Sequence, residues 1–252
     1  MRRAPAPSQS ESGVSLNPFS VSYVQPGSIP YFFEPSFIDQ IKASSPMLYV
    51  HAFAEAFSLK TPLSTWIGCR FLGERFVEAD HQGQIIGPHG SGKSTITESF
   101  AKFLNLTGTH VIKHVIHDHT RRLSRSLSEE IRNIEDFQTA ESRKTKRNVV
   151  IFDGYEQLSY CSRVRLRKLC RQKNCGLLIT THKPQSFVGP ILFRTDTSDA
   201  TVEKLVSYLL DDSRIFPGDS LLRSLRRKHN SNIRAILDSL YDWWNDTEND
   251  LR

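Results

Sequence analysis

The chain has 252 residues, 38% of them hydrophobic and 24% charged, with 33 Lys and Arg against 27 Asp and Glu for a net charge of +6. That length suits one large α/β domain, or a core domain with a small appendage, and it can bury a proper core. No apolar run approaches the roughly 18 residues a membrane helix needs, which excludes membrane insertion. The opening MRRAPAPSQSESGVSLNPF lacks the apolar stretch of a secretory signal.

Residues 1–20 read as a disordered tail. Residues 21–82 form a mixed segment expected to pack on the core, with turn signals at Pro26-Gly27 and Pro30 and a short helical pattern through Phe37, Ile38 and Ile41. From Gly83 short β-rich runs alternate with longer helical ones, the signature of a parallel sheet with crossover helices. Strands are expected at 84–87, 110–116, 148–152, 176–180 and 191–193, giving a three-layer α/β core over 83–200 with a five-stranded parallel sheet. After Thr195 the β pattern stops. Helical stretches at 201–210, 219–227 and 231–244 then read as a small C-terminal helical lid spanning 201–252.

Four cysteines, Cys69, Cys161, Cys170 and Cys175, form no CxxC pair. Reduced thiols and a cytoplasmic location are the expectation. His110, His114, His117 and His119 cluster around the second strand, but strand alternation divides them between two faces and argues against a metal site.

Gly87-Pro88-His89-Gly90-Ser91-Gly92-Lys93-Ser94 fits GxxxxGK[ST], with Thr95 following. The glycines let successive backbone N–H groups turn inward around a phosphate, the lysine reaches the β and γ oxygens, and Ser94 offers a hydroxyl to Mg²⁺. A β-rich QIIG precedes the loop and a helical pattern through Ile96, Phe100, Phe103 and Leu104 follows it. Strand, loop and helix therefore stand in the order a P-loop requires, with ATP and Mg²⁺ as the implied ligands.

Asn148-Val-Val-Ile-Phe-Asp153 is an apolar run ending in a carboxylate, sixty residues after Lys93. Asp153 matches the strand-terminal Asp that holds Mg²⁺ in P-loop NTPases. The position after it, where hydrolytic versions place a Glu, is Gly154. Glu156 comes two residues later, at the expected start of the next helix, where it either orients the attacking water or favours that helix's N-terminus. Gly176-Leu-Leu-Ile-Thr180 runs into Thr181-His182, either of which is a candidate sensor of the γ-phosphate or a core or turn residue.

Together these residues resemble the ASCE branch of P-loop ATPases, and within it the AAA+ and STAND types. Asn230-Ser231-Asn232-Ile233-Arg234 is similar to the string whose arginine contacts the nucleotide in AAA+ lids, which makes Arg234 the matching candidate. The strings IIGPHGSGKST, DGYEQLS and GLLITTH also resemble a group of short bacterial ATP-binding proteins, over residues 82–244, a resemblance that implies no substrate. Gly154 departs from active AAA+ enzymes and is similar to the hhhhDG start of STAND switches. The resemblance thus implies an ATP hydrolase of low basal rate acting as a nucleotide-controlled switch, with homo-oligomerisation left open. Thr139–Arg147 carries no LSGGQ-like signature and Thr181–Pro184 no NKxD, so the ABC and GTPase classes fit less well, while a small-molecule kinase stays open.

The charge is uneven. Residues 118–175 carry 14 basic and 8 acidic side chains, a surplus as large as that of the whole chain. Arg163, Arg167 and Arg171 are spaced at i, i+4 and i+8, and like charges so placed oppose a helix by about 0.2–0.5 kcal/mol per pair. Either the row is a solvated face, or it meets a nucleic-acid backbone or an acidic protein, which gives the alternative of a nucleic-acid-stimulated ATPase.

Overall fold

One parallel sheet is formed by β1 (Gln82–Ile86), β2 (Val111–Val115), β3 (Val149–Asp153), β4 (Gly176–Thr181) and β5 (Ile191–Arg194), of which the central β3 and β4 are buried throughout. They belong to a computed structural model that describes residues 17–59, 62–116, 121–134, 148–195, 197–210, 216–230 and 232–250. The helices are α1 (Val21–Val24), α2 (Pro35–Ser44), α3 (Pro46–Leu59), α4 (Leu63–Glu78), α5 (Lys93–Leu106), α6 (Arg125–Arg132), α7 (Tyr160–Gln172), α8 (Asp199–Leu209), α9 (Asp219–Lys228) and α10 (Ile233–Asp250). None of the described helices is long and apolar enough to cross a membrane.

The sheet order is β2-β3-β4-β1-β5, and all four pairings are parallel. Strand β4 therefore lies between β1, which leads into the phosphate loop, and β3, which ends in Asp153. This is the five-stranded α/β fold expected from the sequence. Because Val149 pairs with Gly176 and Phe152 with Ile179, the next residues along, Asp153 and Thr180, stand side by side and point to the same face.

Two compact units emerge, one from the stretches 69–88 and 96–195, the other from 1–68, 89–95 and 196–252. In the sheet unit Ile112, Val150, Phe152, Leu177 and Ile179 share a buried cluster with Leu127 and Ile131 of α6 and Leu166 and Leu169 of α7. Alternation sends Gly176, Leu178 and Thr180 to the other face. There a β-carbon on Gly176 would come within 3.2 Å of the Phe76 ring, which meets Phe100 of α5 edge-on at 6.1 Å. Helices α4 and α5 thus cover the face to which Asp153 points, and α6 and α7 cover the opposite one.

In the helical unit α8, α9 and α10 close around Val202, Val206, Leu222, Ile236, Leu240 and Trp244, together with Phe19 and Ile29. Each of these helices has its apolar residues on one stripe. Ser198 caps α8 by accepting the amide of Thr201 at 3.3 Å. Helix α10 continues past Trp244, where the sequence pattern predicts its end, because no Gly or Pro follows to break it. Residues 1–16 of the expected tail lie outside the described residues. From Asn17 the chain is packed, since the Asn17 amide donates to the Tyr241 carbonyl and to Asn245 Oδ1 at 2.9 Å, and Phe19 meets Trp244 edge-on.

Candidate functional site

Strand β1 ends at Ile86, and the chain runs through Gly87–Gly92 directly into α5, whose first residue is Lys93. Gly90 and Gly92 have φ of 67° and 85°, the left-handed region that an L-residue enters only at a cost. At Gly90 a second constraint acts, because a β-carbon would lie 1.8 Å from Asn232 Oδ1. The Ile233 amide donates to the Gly90 carbonyl at 3.1 Å, and Asn232 Oδ1 accepts the amide of Ala235, capping α10. At Gly92 a β-carbon would be 3.1 Å from the buried Tyr31 ring. Ser91 and Lys93 are buried, Gly87, Ser94 and Thr95 half-buried, and Pro88 and His89 exposed. Arg234 is exposed on the first turn of α10, next to the residue that bonds the loop.

Asp153 is only 6% exposed at the end of β3. Its Oδ1 accepts the hydroxyl of Thr180, and the same hydroxyl oxygen accepts the Gly154 amide at 3.0 Å. Its Oδ2 is buried and has no hydrogen-bond partner among the described residues. A carboxylate in that state is costly unless a cation or water completes it. Thr180 is a contributor that sequence reasoning missed. Its only sequence signal is a hydroxyl four residues into a buried strand, and recognising it requires the β3/β4 register.

Gly154 has φ 84°, turning the chain from β3 into a 3₁₀ turn over Tyr155–Gln157. The residue after Asp153 must therefore adopt a left-handed conformation, which gives a steric reason for glycine where a glutamate is otherwise expected. Glu156 sits on this turn and not in the first turn of α7, which starts at Tyr160 behind its cap Ser159. Glu156 Oε1 is 3.6 Å from His182 Nε2, and Glu156 Oε2 is buried without a partner among the described residues. Structure thus brings two predicted residues, Glu156 and His182, together. Thr181 is engaged elsewhere: its hydroxyl donates to the Lys183 carbonyl, while its own carbonyl accepts the Gly87 amide at 3.2 Å.

The Arg163, Arg167 and Arg171 row is not uniform. Arg163 is half-buried and donates to the carbonyls of Glu156 at 2.6 Å and Leu158 at 2.9 Å and to Gln185 Oε1 at 2.9 Å. Its guanidinium also lies 5.4 Å from the Tyr155 ring centroid. Burial pushes the Tyr155 phenol up, and the Arg167 and Arg163 charges pull the other way. Arg167 donates to the Phe187 carbonyl at 3.2 Å, and Arg171 is exposed. Arg163 therefore ties the Glu156 turn to the segment after β4. Sequence spacing shows the row but not this use of its first member.

Among the described residues no group of three or more His, Cys, Asp or Glu is arranged to hold a metal. His117 and His119 lie outside the described residues, as do Arg143, Lys144, Lys146 and Arg147 of the basic middle. His114 tilts against the Phe152 ring at 5.3 Å. All four cysteines are free thiols.

Among solved structures the chain is similar to PCH-2 of C. elegans, at 10% identity and TM-score 0.42 over 85% of this chain and 71% of that one. It is also similar to a chain of the HORMA:CdnC:Trip13 complex of E. coli MS115-1, at 12% identity and TM-score 0.34 over 77% and 72%. Similarity of this degree bears on neither activity nor partners. No curated protein matches the sequence significantly. The family model of the viral superfamily 1 RNA helicase core domain matches residues 85–179. That span begins inside β1 and ends inside β4, so it takes in the phosphate loop and the acidic strand, and the core it covers is that of a nucleotide-binding P-loop NTPase.

Proposed function

We propose that this chain binds ATP with Mg²⁺ and hydrolyses it slowly, using nucleotide state as a switch. The observation that carries the reading is the Asp153 carboxylate, buried at a strand end with one oxygen held by Thr180 and the other without a donor among the described residues. That donor set suits a hard cation, which takes oxygen ligands. Ser94 and Asp153 are the residues that would hold Mg²⁺, which when bound neutralises charge on the transferred phosphoryl group.

In this reading the backbone amides of Gly87–Ser94 cradle the phosphates, Lys93 binds the β and γ oxygens, and Thr95 supports the same loop. Glu156 orients the attacking water and accepts its proton at the carboxylate, with His182 beside it. Thr181 or His182, together with Arg234, responds to the γ-phosphate. Hydrolysis is slow because the left-handed Gly154 moves the acid from the position next to Asp153 onto the following turn. The segment 201–252 acts as the lid. Lys93→Ala is expected to abolish binding of a fluorescent ATP analogue measured by anisotropy with Mg²⁺ present; unchanged affinity refutes the assignment.

A second reading is favoured by the helicase-core match and by α7, which carries five Lys and Arg and no acid. Here nucleic acid stimulates the ATPase. Turnover measured with and without single-stranded and duplex nucleic acid separates the two readings, since stimulation through phosphate contacts must fall as salt rises.

A further inference from the structure

Residues 182–190, between β4 and β5, are pinned from three sides. Gln84 of β1, buried, donates through Nε2 to the carbonyls of Gln185 at 3.0 Å and Gly189 at 2.8 Å, and its Oε1 accepts the Gln185 amide at 2.8 Å. Arg163 holds the Gln185 side chain, and Val188 is buried in the α6/α7 cluster. Arg167 holds the Phe187 carbonyl and lies 5.9 Å from that ring's centroid. Between these anchors Phe187 is 86% exposed and has φ 66°. A β-carbon-bearing residue in the left-handed region is strained, and a large apolar ring in water returns nothing to folding. A segment so firmly held, with a strained and exposed aromatic at its tip, is built to present that ring.

The neighbouring helix supplies the rest of a surface. Tyr160, Val164, Arg167 and Arg171 recur at i, i+4, i+7 and i+11, so they line one stripe of α7 about 16 Å long. Tyr160 is 76% exposed and Val164 is partly so. Arg165, Lys168 and Arg171 are exposed, and neither α7 nor residues 182–190 contains an acid. Exposed aromatic rings set among unpaired-sign cations fit a chain of phosphates whose bases have open faces, and a duplex hides those faces.

We infer that the α7 stripe and the Phe187 tip form a binding surface for single-stranded nucleic acid, with Phe187 and Tyr160 stacking on bases, and with Arg171 on the stripe and Lys168 at its edge facing phosphates. Arg167 is a positioning residue that fixes the Phe187 ring. The inference rests on the nucleic-acid reading above and names its residues and strandedness. Because Arg163 bonds both Gln185 and the Glu156 carbonyl, the surface and the turn that carries the proposed water-orienting acid share one side chain.

The test is anisotropy of labelled oligouridylate, oligothymidylate and a duplex of equal length, with the full chain. The expected result is that single strands bind more tightly than duplex, that Phe187→Ala and Tyr160→Ala each weaken binding about tenfold, and that Phe187→Trp restores it. Comparison of the ribose and deoxyribose strands identifies which source is preferred. Lys168→Glu with Arg171→Glu should lower the salt dependence. Phe187→Gly provides a control for folding, since it should match or exceed the wild-type Tm while losing binding. Single-strand binding that both Ala variants leave unchanged overturns the stacking surface but keeps the nucleic-acid reading. Absence of binding to every strand, or capture of polyglutamate in its place, overturns both.

Discussion

Two carboxylates three residues apart are held in different ways. Asp153 belongs to the sheet: it ends β3, faces the α4/α5 layer, and takes the hydroxyl of a residue level with it on β4. Glu156 belongs to a turn, seated by the buried Tyr155 and Leu158 and bonded at its carbonyls by a side chain from the next helix, Arg163. A parallel sheet is rigid through its hydrogen-bonded ladder, so Asp153 is preorganised by the same contacts that fold the core. The Glu156 turn is seated by the buried Tyr155 and Leu158, but the guanidinium that bonds its carbonyls also holds Gln185, so its geometry can answer to events at residues 182–190. In the proposed reading the first region holds the cation and the second is the one open to regulation.

The sharpest way to break this contrast is to neutralise each acid. Glu156→Gln should reduce turnover by about 10²–10⁴-fold, the range of a lost general base, while ATP affinity stays within error. Asp153→Asn should instead remove the Mg²⁺ dependence of ATP binding. If Glu156→Gln turns over at the wild-type rate, Glu156 serves only the start of the turn and the division of labour fails. Titration calorimetry alongside a phosphate-release assay distinguishes the two outcomes.

A smaller effect addresses the sheet's role. Thr180→Val leaves both Asp153 oxygens buried without a protein donor, and also removes the acceptor of the Gly154 amide. Leaving such groups unpaired should lower the unfolding free energy by about 1–3 kcal/mol, read by urea denaturation, with Thr180→Ser recovering most of it. Equal stability of Thr180→Val and wild type would mean that the strand pairing, not the hydroxyl, places Asp153.

These tests also separate what the sequence reveals from what it hides. The strands are legible because β3 and β4 are buried, largely apolar runs and the other three carry shorter apolar stretches, and their cores fall within the expected segments. The phosphate loop is legible because its glycines and lysine are contiguous, and Asp153 because it ends such a run. Thr180 is hidden because register is a relation between two strands that sequence order does not contain. Asn232 and Tyr31, which crowd Gly90 and Gly92, lie far from the loop in sequence. Arg163 misleads in another way, since its helical spacing places it in a basic row while its guanidinium is turned inward onto the Glu156 turn.

The smallest expected effect tests whether that turn can loosen while the sheet stays closed. Helix α7 carries two cysteines, Cys161 exposed and Cys170 buried. Burial pushes the Cys170 thiol up to about 12, with the nearby Cys175 adding to the shift, so near neutral pH it is protonated and inert. Because the folded value lies above the ordinary thiol value of 9.0, its contribution to stability is full below about pH 9 and is lost as pH rises towards 12. In the wild type, iodoacetamide at mildly alkaline pH should modify Cys161 quickly and Cys170 only through local opening. Arg163→Ala removes the bonds between α7 and the turn, so Cys170 modification should speed up several-fold with little change in global stability. Arg163→Lys keeps the charge but not the three-way geometry, and should resemble Ala. If Cys170 reacts at the wild-type rate in both variants, α7 docks through its apolar face alone, and the Glu156 turn owes its position to the sheet after all.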